Sequence, residues 1–298
     1  MKPVDFSLHQ PDTVDAAVAL LARHGEDAKV LAGGQSLVPL LNFRLARPEH
    51  VVDIGRLPGL GELRAQPGRL VLGAMVRQSR AEAAPAVAAH CPLLAAALPK
   101  IAHPPIRARG TVGGSLAHAD PAAELPSVAV ALDATFSAVS TRGRREIAAR
   151  DFFRGYLTTA LEPDELLTAI SFPAAPPGTG AAFCEVSPRR GDFAVAGAAA
   201  QVTVADGVIT DARICLSGVA AAPFRCFDSE RVLRGTRADP ASLARGGEAL
   251  AGALDPPGDL HATAGYRRHV AGVLLRRAVA EAFRGAAGGA RSAAVVGV

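Results

Sequence analysis

Two glycine-rich loops, far apart in the sequence, constrain this chain more than any other feature. The first glycine loop reads Ala-Gly-Gly-Gln-Ser at residues 32–36, and the second glycine loop reads Thr-Val-Gly-Gly-Ser at residues 111–115. Each follows an apolar or turn-rich approach and leads into a segment that can be helical. Each pairs two glycines with a hydroxyl side chain, so the two turns carry the same chemistry.

Both loops suit the binding of an anion. Glycine has no Cβ, so its backbone can take a positive φ and approach a ligand closely. Successive backbone N–H groups then form a concave anion site, and a following helix adds unpaired N–H groups. The side chains of Gln35, Ser36, Thr111 and Ser115 can donate further hydrogen bonds. Two such loops can close on one pyrophosphate from opposite sides.

The residues alone leave the ligand open. Neither loop carries a lysine or arginine, and both the Walker pattern and G-x-G-x-x-G are absent, which argues against ATP hydrolysis and a Rossmann dinucleotide site. Two ordinary glycine turns at strand ends remain an alternative. The pattern does not choose FAD over another phosphorylated ligand.

Composition narrows the function classes. The chain has 298 residues, 49% of them hydrophobic, which is enough for two or three packed units. It has no tryptophan and 4% aromatic residues, so we expect cores of alanine, valine and leucine. The formal net charge is +4 and the arginines are interspersed with acids, which argues against nucleic-acid binding.

Cysteine usage and the absence of targeting signals indicate a cytoplasmic protein. Cys91, Cys184, Cys215 and Cys226 are scattered without a C-x-x-C, so we expect no metal or iron–sulfur site on this chain. No Ser-His-Asp spacing is evident either, and we assign no catalytic residue. The N-terminus has no apolar signal region, and no run of about 20 apolar residues could span a membrane.

The pattern predicts three units. In the first, residues 1–56, the segment Pro11-Asp12-Thr13 starts a helix that Gly25 ends. The other predicted elements of this unit are a strand at 29–32, a helix at 36–43 and a strand at 51–54. In the second unit, residues 57–176, the sequence predicts strands at 69–73, 135–140 and 166–172. It also predicts helical segments over 81–98 that are broken at Pro85 and Pro92.

Two prolines and one aspartate give further expectations for the second unit. Pro104 and Pro105 force extended geometry on the residues before them, so residues 101–106 are predicted not to be helical. Asp120 is predicted to cap a helix that has Pro121 at its first position and continues to Leu132.

The third unit, residues 177–298, follows a Pro/Gly-rich linker. Strands at 198–204 and 208–216 flank Asp206-Gly207, which is a type I′ turn signal. Helices are predicted at 227–233 and 266–283, and the Gly/Ala-rich tail from 285 is expected to be mobile.

Two stretches carry a resemblance to a known family. Residues 31–37 and 106–126 resemble the FAD-binding medium subunit of molybdenum hydroxylases, in the group of aerobic carbon monoxide dehydrogenase and xanthine dehydrogenase. Residues 191–194 and 264–268 are similar to recurring pieces of its C-terminal part. The resemblance covers nearly the whole chain.

The resemblance implies an α+β protein. Its FAD-binding domain would be of the vanillyl-alcohol-oxidase type (PCMH-type), with two α/β subdomains, and an α+β C-terminal domain with a small antiparallel sheet and helices would follow. The flavin would lie between the two domains. The implied FAD-binding residues are Lys29, Leu31, Ala32, Gly33, Gly34, Gln35, Ser36, Leu37, Ile101, Ala102, Thr111, Val112, Gly113, Gly114, Ser115, His118, Asp120, Glu124, Leu167, Asp192 and Phe193.

Several of these residues also have structural interpretations. Asp120 can simply cap its helix, and His118 can make a local turn contact. Glu124 is implied to bind a ribose or ribityl hydroxyl, but it also suits the first turn of a helix, where an acid is favourable. Phe193 is implied to lie with Asp192 beside the isoalloxazine, but it can also be a core residue.

The resemblance implies an electron-transfer subunit. A large partner chain would carry the molybdenum cofactor, a small partner chain would carry two [2Fe-2S] clusters, and the assembly would be a dimer of heterotrimers. Electrons would pass through the clusters to FAD on this chain and then to an external acceptor. The alternatives are a self-sufficient flavin oxidase of the same fold and a non-catalytic assembly module that has lost FAD.

Overall fold

The computed structural model describes residues 2–250 and 252–295, with side chains described as far as residue 287. Three main sheets follow one another along the sequence, and a two-stranded pair accompanies the second. The mixture of helices and sheets, with an antiparallel sheet in the C-terminal part, confirms the predicted fold class. The unit boundaries near 56 and 176 stay predictions.

The first sheet is parallel, in the order β1-β3-β2, and helix α1 packs against it. The Thr13 hydroxyl caps α1 by accepting a hydrogen bond from the Ala16 N–H at 3.1 Å, and Gly25 ends the helix, as predicted. The elements are β1 (Ser7–His9), α1 (Val14–His24), β2 (Ala28–Leu31), α2 (Leu37–Asn42) and β3 (His50–Asp53).

The second sheet is antiparallel, in the order β4-β5-β10-β6-β7, and six helices lie between β5 and β6 in the sequence. The helix breaks predicted at Pro85 and Pro92 are confirmed. The elements are β4 (Leu63–Gln66), β5 (Arg69–Gly73), α3 (Gln78–Ala83), α4 (Pro85–His90), α5 (Pro92–Ala97), α6 (Pro104–Arg109), α7 (Val112–His118), α8 (Glu124–Ala131), β6 (Thr135–Ser140), β7 (Gly143–Ala148), α9 (Ala149–Phe152), β8 (Phe153–Gly155), β9 (Thr158–Thr159) and β10 (Leu166–Pro173).

The prediction for residues 101–106 is wrong at its C-terminal end. His103 is extended, as expected of a residue before proline, but α6 begins at Pro104 and includes Pro105 and Ile106. The first turn of a helix needs no N–H donors from its own residues, so two prolines there cost no intrahelical hydrogen bond.

The helix predicted to start at Asp120 begins later. Helix α8 starts at Glu124, with Ala123 at the capping position. The Asp120 carboxylate instead accepts a hydrogen bond from the Ala122 N–H at 2.8 Å, which closes a tight turn. Aspartate favours both arrangements for the same reason, since its short side chain reaches nearby backbone N–H groups.

The third sheet is antiparallel, in the order β11-β12-β13-β14. Asp206 and Gly207 both have positive φ, which confirms the predicted turn. Helix α12 continues beyond residue 285 to Val295, so the described part of the predicted mobile tail is helical, and residues 296–298 lie outside the described residues. The elements are β11 (Thr179–Val186), β12 (Ala196–Ala205), β13 (Val208–Ser217), β14 (Phe224–Arg225), α10 (Phe227–Leu233), α11 (Pro240–Glu248) and α12 (Ala264–Val295).

The cores match the expectation from composition only in part. The third sheet buries mainly alanine and branched aliphatic side chains against α12, as expected. The second core also contains Phe136, Phe152 and Phe172, all fully buried, and the rings of Phe136 and Phe152 stack 3.8 Å apart. The core of the second sheet is therefore not built from alanine, valine and leucine alone.

A buried ion pair joins the third sheet to α8. The Arg225 guanidinium binds the Glu230 carboxylate and donates to the Val130 carbonyl oxygen at 2.7 Å. Glu230 also accepts from the Ile214 N–H at 2.7 Å, and Asp133 lies 3.1 Å from Arg225. Because both partners of the pair are buried, removing one leaves a charge without compensation.

Substituting Arg225 should destabilise the protein strongly. We expect Arg225→Leu to lower the free energy of unfolding by about 3–5 kcal/mol, since Glu230 is left buried and unpaired. Chemical denaturation monitored by circular dichroism measures this change. The control is Arg231→Ala, which removes an exposed pair with Asp228 and should change stability by less than about 1 kcal/mol. Equal effects of the two substitutions would contradict the assignment.

Candidate functional site

The two glycine loops touch each other. A Cβ at Gly33 would lie 2.5 Å from the Arg109 carbonyl oxygen and 2.9 Å from the Gly110 Cα. A Cβ at Gly114 would lie 3.4 Å from the Ala32 Cβ. No side chain fits at Gly33 unless the backbones move apart, so glycine at this position is what allows the loops to meet.

The first glycine loop presents free backbone donors. Within the described part of the chain, the N–H groups of residues 33–36 donate no hydrogen bond. Gly34 has a φ of 75°, which turns the backbone toward α2, and the side-chain amide of Gln35 folds back on the Gly33 carbonyl oxygen at 3.1 Å. Consecutive unpaired N–H groups in such a turn form an anion-binding nest, as predicted from the sequence.

The second glycine loop differs from the expectation because its amides are already bonded. The N–H groups of Val112 and Gly113 donate to carbonyl oxygens of Val76 and Ala74, at 2.9 Å and 3.0 Å. The Gly114 N–H donates to the Thr111 hydroxyl oxygen at 3.0 Å, and the Ser115 N–H donates to the Thr111 carbonyl oxygen at 3.1 Å. This loop therefore offers a ligand its hydroxyl groups rather than these four peptide amides.

A cleft of about 620 Å³ opens beside the two loops. It is lined by all of the residues predicted for the site except Leu31 and Val112. Val112 is fully buried in the core of the second sheet, and Leu31 belongs to β2. The volume is typical of sites for small molecules and cofactors.

Several residues that line the cleft are apolar. They include Ile101, Ala102 and Leu167, which the sequence predicts to contact the adenine or a ring edge, together with Leu161 and Leu166. Ala102 has a φ of 39°, an uncommon value for a residue with a Cβ. The neighbouring backbone is held by a buried arginine, since Arg107 donates to the Ile101 carbonyl oxygen at 2.8 Å.

Residues from the C-terminal part of the chain complete the cleft. Gly191, Asp192 and Phe193 lie between β11 and β12 and line the same cavity as the glycine loops. Gly191 has a φ of 90°, and a Cβ there would be 2.5 Å from the His103 ring. Phe193 is 67% exposed, so its position in the cleft does not support the interpretation of it as a core residue.

Three polar residues follow the second loop. His118 ends α7, Asp120 closes its turn, and Glu124 begins α8, and all three line the cleft. Burial, together with the negative charges of Glu185 and Asp120, raises the pKa of Glu124 to about 7. The Glu124 carboxyl therefore holds its proton at mildly acidic pH and can then donate a hydrogen bond as well as accept one.

Sequence reasoning missed a further set of lining residues. Most are small or apolar and have no chemical pattern of their own, although Gly110 directly precedes the second loop and Gly191 precedes the predicted Asp192. The missed residues are Val30, Leu40, Ala46, Ile54, Ala74, Gln78, Ile106, Gly110, Ala117, Ala123, Leu157, Leu161, Glu165, Leu166 and Gly191.

The residues fit a ligand that has an anionic group and flat apolar parts. The unpaired amides of the first loop suit a pyrophosphate, and the apolar lining suits aromatic rings. Both features match FAD. The nest supplies hydrogen-bond donors for the pyrophosphate. Glycine at position 33 keeps the two loops together around it, since a Cβ there would displace the backbone of Arg109 and Gly110.

Comparison with known proteins decides the family. Residues 4–175 match the family described as the FAD binding domain in molybdopterin dehydrogenase, and residues 181–282 match the CO dehydrogenase flavoprotein C-terminal domain. The chain belongs to this family. It is the FAD-binding component of an oxidoreductase, as the sequence resemblance implies.

Individual relatives are similar to this chain along nearly their whole length. The chain is 42% identical to the 6-hydroxypseudooxynicotine dehydrogenase complex subunit alpha of Paenarthrobacter nicotinovorans, over 95% of this chain and 96% of that protein. A chain of carbon monoxide dehydrogenase from Hydrogenophaga pseudoflava superposes with a TM-score of 0.93 at 38% identity, covering 95% and 99% of the two chains. A chain of quinoline 2-oxidoreductase from Pseudomonas putida 86 superposes with a TM-score of 0.91 at 36% identity, covering 96% of this chain and 99% of that chain.

The contact between the loops gives a test of the site. We expect Gly33→Ala to lose most of its bound FAD, because the added Cβ would meet the Arg109 carbonyl oxygen and push the loops apart. The FAD-to-protein ratio, from absorbance near 450 nm, measures this loss. Gly61→Ala is the matched control, since a Cβ there meets nothing within 4 Å. A fully yellow Gly33→Ala protein would mean that the loop contact is not needed.

The raised pKa of Glu124 gives a pH test. The unfolded carboxyl ionises near 4.5, whereas the folded one keeps its proton to about pH 7. Between these two pH values the folded state thus binds more protons than the unfolded state does. The free energy of unfolding therefore falls as the pH rises through this range. The melting temperature of the wild type should therefore fall relative to Glu124→Gln between about pH 5 and about pH 8.

The control for this measurement is Glu248→Gln, which replaces an exposed carboxylate on α11. Its melting temperature should follow that of the wild type across the same range. Parallel curves for the wild type and Glu124→Gln would show that the Glu124 carboxyl is not perturbed.

Proposed function

We propose that this chain is the FAD-binding electron-transfer subunit of a heteromeric molybdenum hydroxylase. The observation that carries the proposal is the cleft in which the nest of residues 33–36 and the loop at residues 191–193 face one cavity. Membership of the FAD-binding family supports FAD as the ligand of this cavity. FAD, when bound, supplies two-electron and one-electron redox chemistry that no side chain provides.

The side chains of this protein would position the cofactor. The N–H groups of Gly33, Gly34, Gln35 and Ser36 would hold the pyrophosphate, with the hydroxyl groups of Thr111 and Ser115 on the other side. Ile101, Ala102 and Leu167 would contact the adenine or a ring edge, and Glu124 would bind a ribose or ribityl hydroxyl.

The remaining predicted residues complete the proposed FAD site. Asp192 and Phe193 would lie beside the isoalloxazine. The other predicted residues that line the cleft would line the cofactor: Lys29, Ala32, Leu37, Gly113, Gly114, His118 and Asp120. Leu31 and Val112 would act through the backbone conformation of the two loops, since neither lines the cavity.

The partners follow from the relatives and from the chemistry that this chain lacks. One relative is the alpha subunit of a dehydrogenase complex. The superposed carbon monoxide dehydrogenase is described as a form that lacks the Mo-pyranopterin moiety of the molybdenum cofactor, and another similar structure is described as the Cu,Mo-CO dehydrogenase. The four cysteines are free and three of them are buried. An electron donor to FAD would therefore reside on another chain, which we propose to be a small subunit with two [2Fe-2S] clusters beside a large molybdenum subunit, in a dimer of heterotrimers.

The compartment stays a prediction. No helix within residues 2–250 and 252–295 combines the length and apolarity needed to cross a membrane. We place the complex in the cytoplasm because the free cysteines fit a reducing environment.

Purification from the native source tests the proposal. We expect the tagged chain to bring down a large chain with molybdenum and a small chain with iron equivalent to two [2Fe-2S] clusters per FAD. Anaerobic reduction of the complex by its substrate should bleach the flavin absorbance, whereas the isolated flavin chain should not respond.

The alternatives give different results in the same experiment. A self-sufficient flavin oxidase would be isolated alone and would be reduced by its substrate without partners. An assembly module that has lost FAD would be colourless and would not take up added FAD. Either outcome would overturn the proposal.

A further inference from the structure

Three histidines distant in sequence meet beside the first sheet. His9 is the last residue of β1, His24 is the last residue of α1, and His50 is the first residue of β3. One ring nitrogen from each lies within 4.8 Å of the others. The expectation that this chain has no metal-ligand set rested on sequence spacing, and spacing cannot reveal ligands that only the fold brings together.

The ring nitrogens are close enough to bind one ion after the rings turn. His9 Nε2 and His50 Nδ1 are 3.0 Å apart, and one nitrogen of each ring lies within 4.8 Å of the others. Two nitrogens bound at 2.0–2.1 Å to a tetrahedral Zn²⁺ are about 3.3 Å apart, so the rings of His24 and His50, whose centroids are 3.6 Å apart, would spread on binding. All three side chains are half-buried and reachable from solvent.

The three backbones are fixed by independent elements. His50 pairs with Ser7 of β1 on one side and with Ala28 of β2 on the other, so it starts the central strand of the sheet. His24 precedes Gly25, which ends α1. The ligand positions are thus set by the sheet and by the end of a packed helix, so little ordering is required on binding.

We propose that His9, His24 and His50 form a binding site for a divalent transition metal, such as Zn²⁺. Imidazole is a preferred ligand of Zn²⁺, Cu²⁺ and Ni²⁺. Among the described residues, no fourth histidine, cysteine or carboxylate joins the group, so water completes the coordination and the ion is exchangeable.

The proposed metal site is separate from the FAD cleft. His50 lies at the start of β3 and pairs with Ala28, where β2 begins, whereas the first glycine loop follows the other end of β2 at Leu31. None of the three histidines lines the cleft. A bound ion would tie β1, β3 and α1 together and stabilise the first sheet.

The test uses the full FAD-loaded chain after removal of any polyhistidine tag. Isothermal titration with ZnCl₂ should give one ion per chain for the wild type. His9→Gln, His24→Gln and His50→Gln should each weaken binding by at least about 10-fold, since loss of even an outer-shell partner of a metal ligand costs roughly 10–100-fold. The matched control is His269→Gln, an exposed histidine on α12, which should bind Zn²⁺ like the wild type.

Two further readouts separate a built site from loose association. The zinc X-ray absorption spectrum should show three imidazole nitrogens at about 2.0–2.1 Å. Zinc should also raise the melting temperature of the wild type and of His269→Gln but not of His24→Gln. The proposal is overturned if the wild type binds no zinc, or if all three variants bind it as tightly as the wild type does.

Discussion

The direct contact between the two glycine loops is the constraint on which the candidate site depends. Gly33 meets the backbone of Arg109 and Gly110 at a distance that leaves no space for a side chain. Through this contact the first, parallel sheet and the second, antiparallel sheet share one wall of a cavity. The cavity would open if the loops separated, and neither sheet alone contains enough of the lining to hold an extended cofactor.

The two loops have similar sequences but different roles. Hydrogen bonds to Ala74 and Val76 attach the second loop to the chain just after β5, so its shape is fixed before any ligand binds. The first loop keeps its N–H groups free and provides the donors. Similar glycine motifs can therefore act as a rigid support in one place and as an anion site in another, depending on where their own amides are bonded.

The sequence predicted the elements that have strong local signals. The capped helix at Thr13 and the turn at Asp206 were found because short-range hydrogen bonds and positive φ determine them. Edge strands such as β4 and β7 were missed because their polar, exposed sequences pair on one side only. Helix α11 was missed because two glycines weaken its pattern. The lining residues without polar groups and the meeting of His9, His24 and His50 depend on tertiary structure, which no local pattern encodes.

The division of the cleft among all three sheets affects how the molecule responds to heat. A ligand that contacts residues 33–36, Glu124 and Phe193 at once adds a further link to parts of the chain that already share packing. Release of that ligand would remove this link, so the empty protein would melt at a lower temperature than the loaded one. The flavin would then act as part of the scaffold as well as a carrier of electrons.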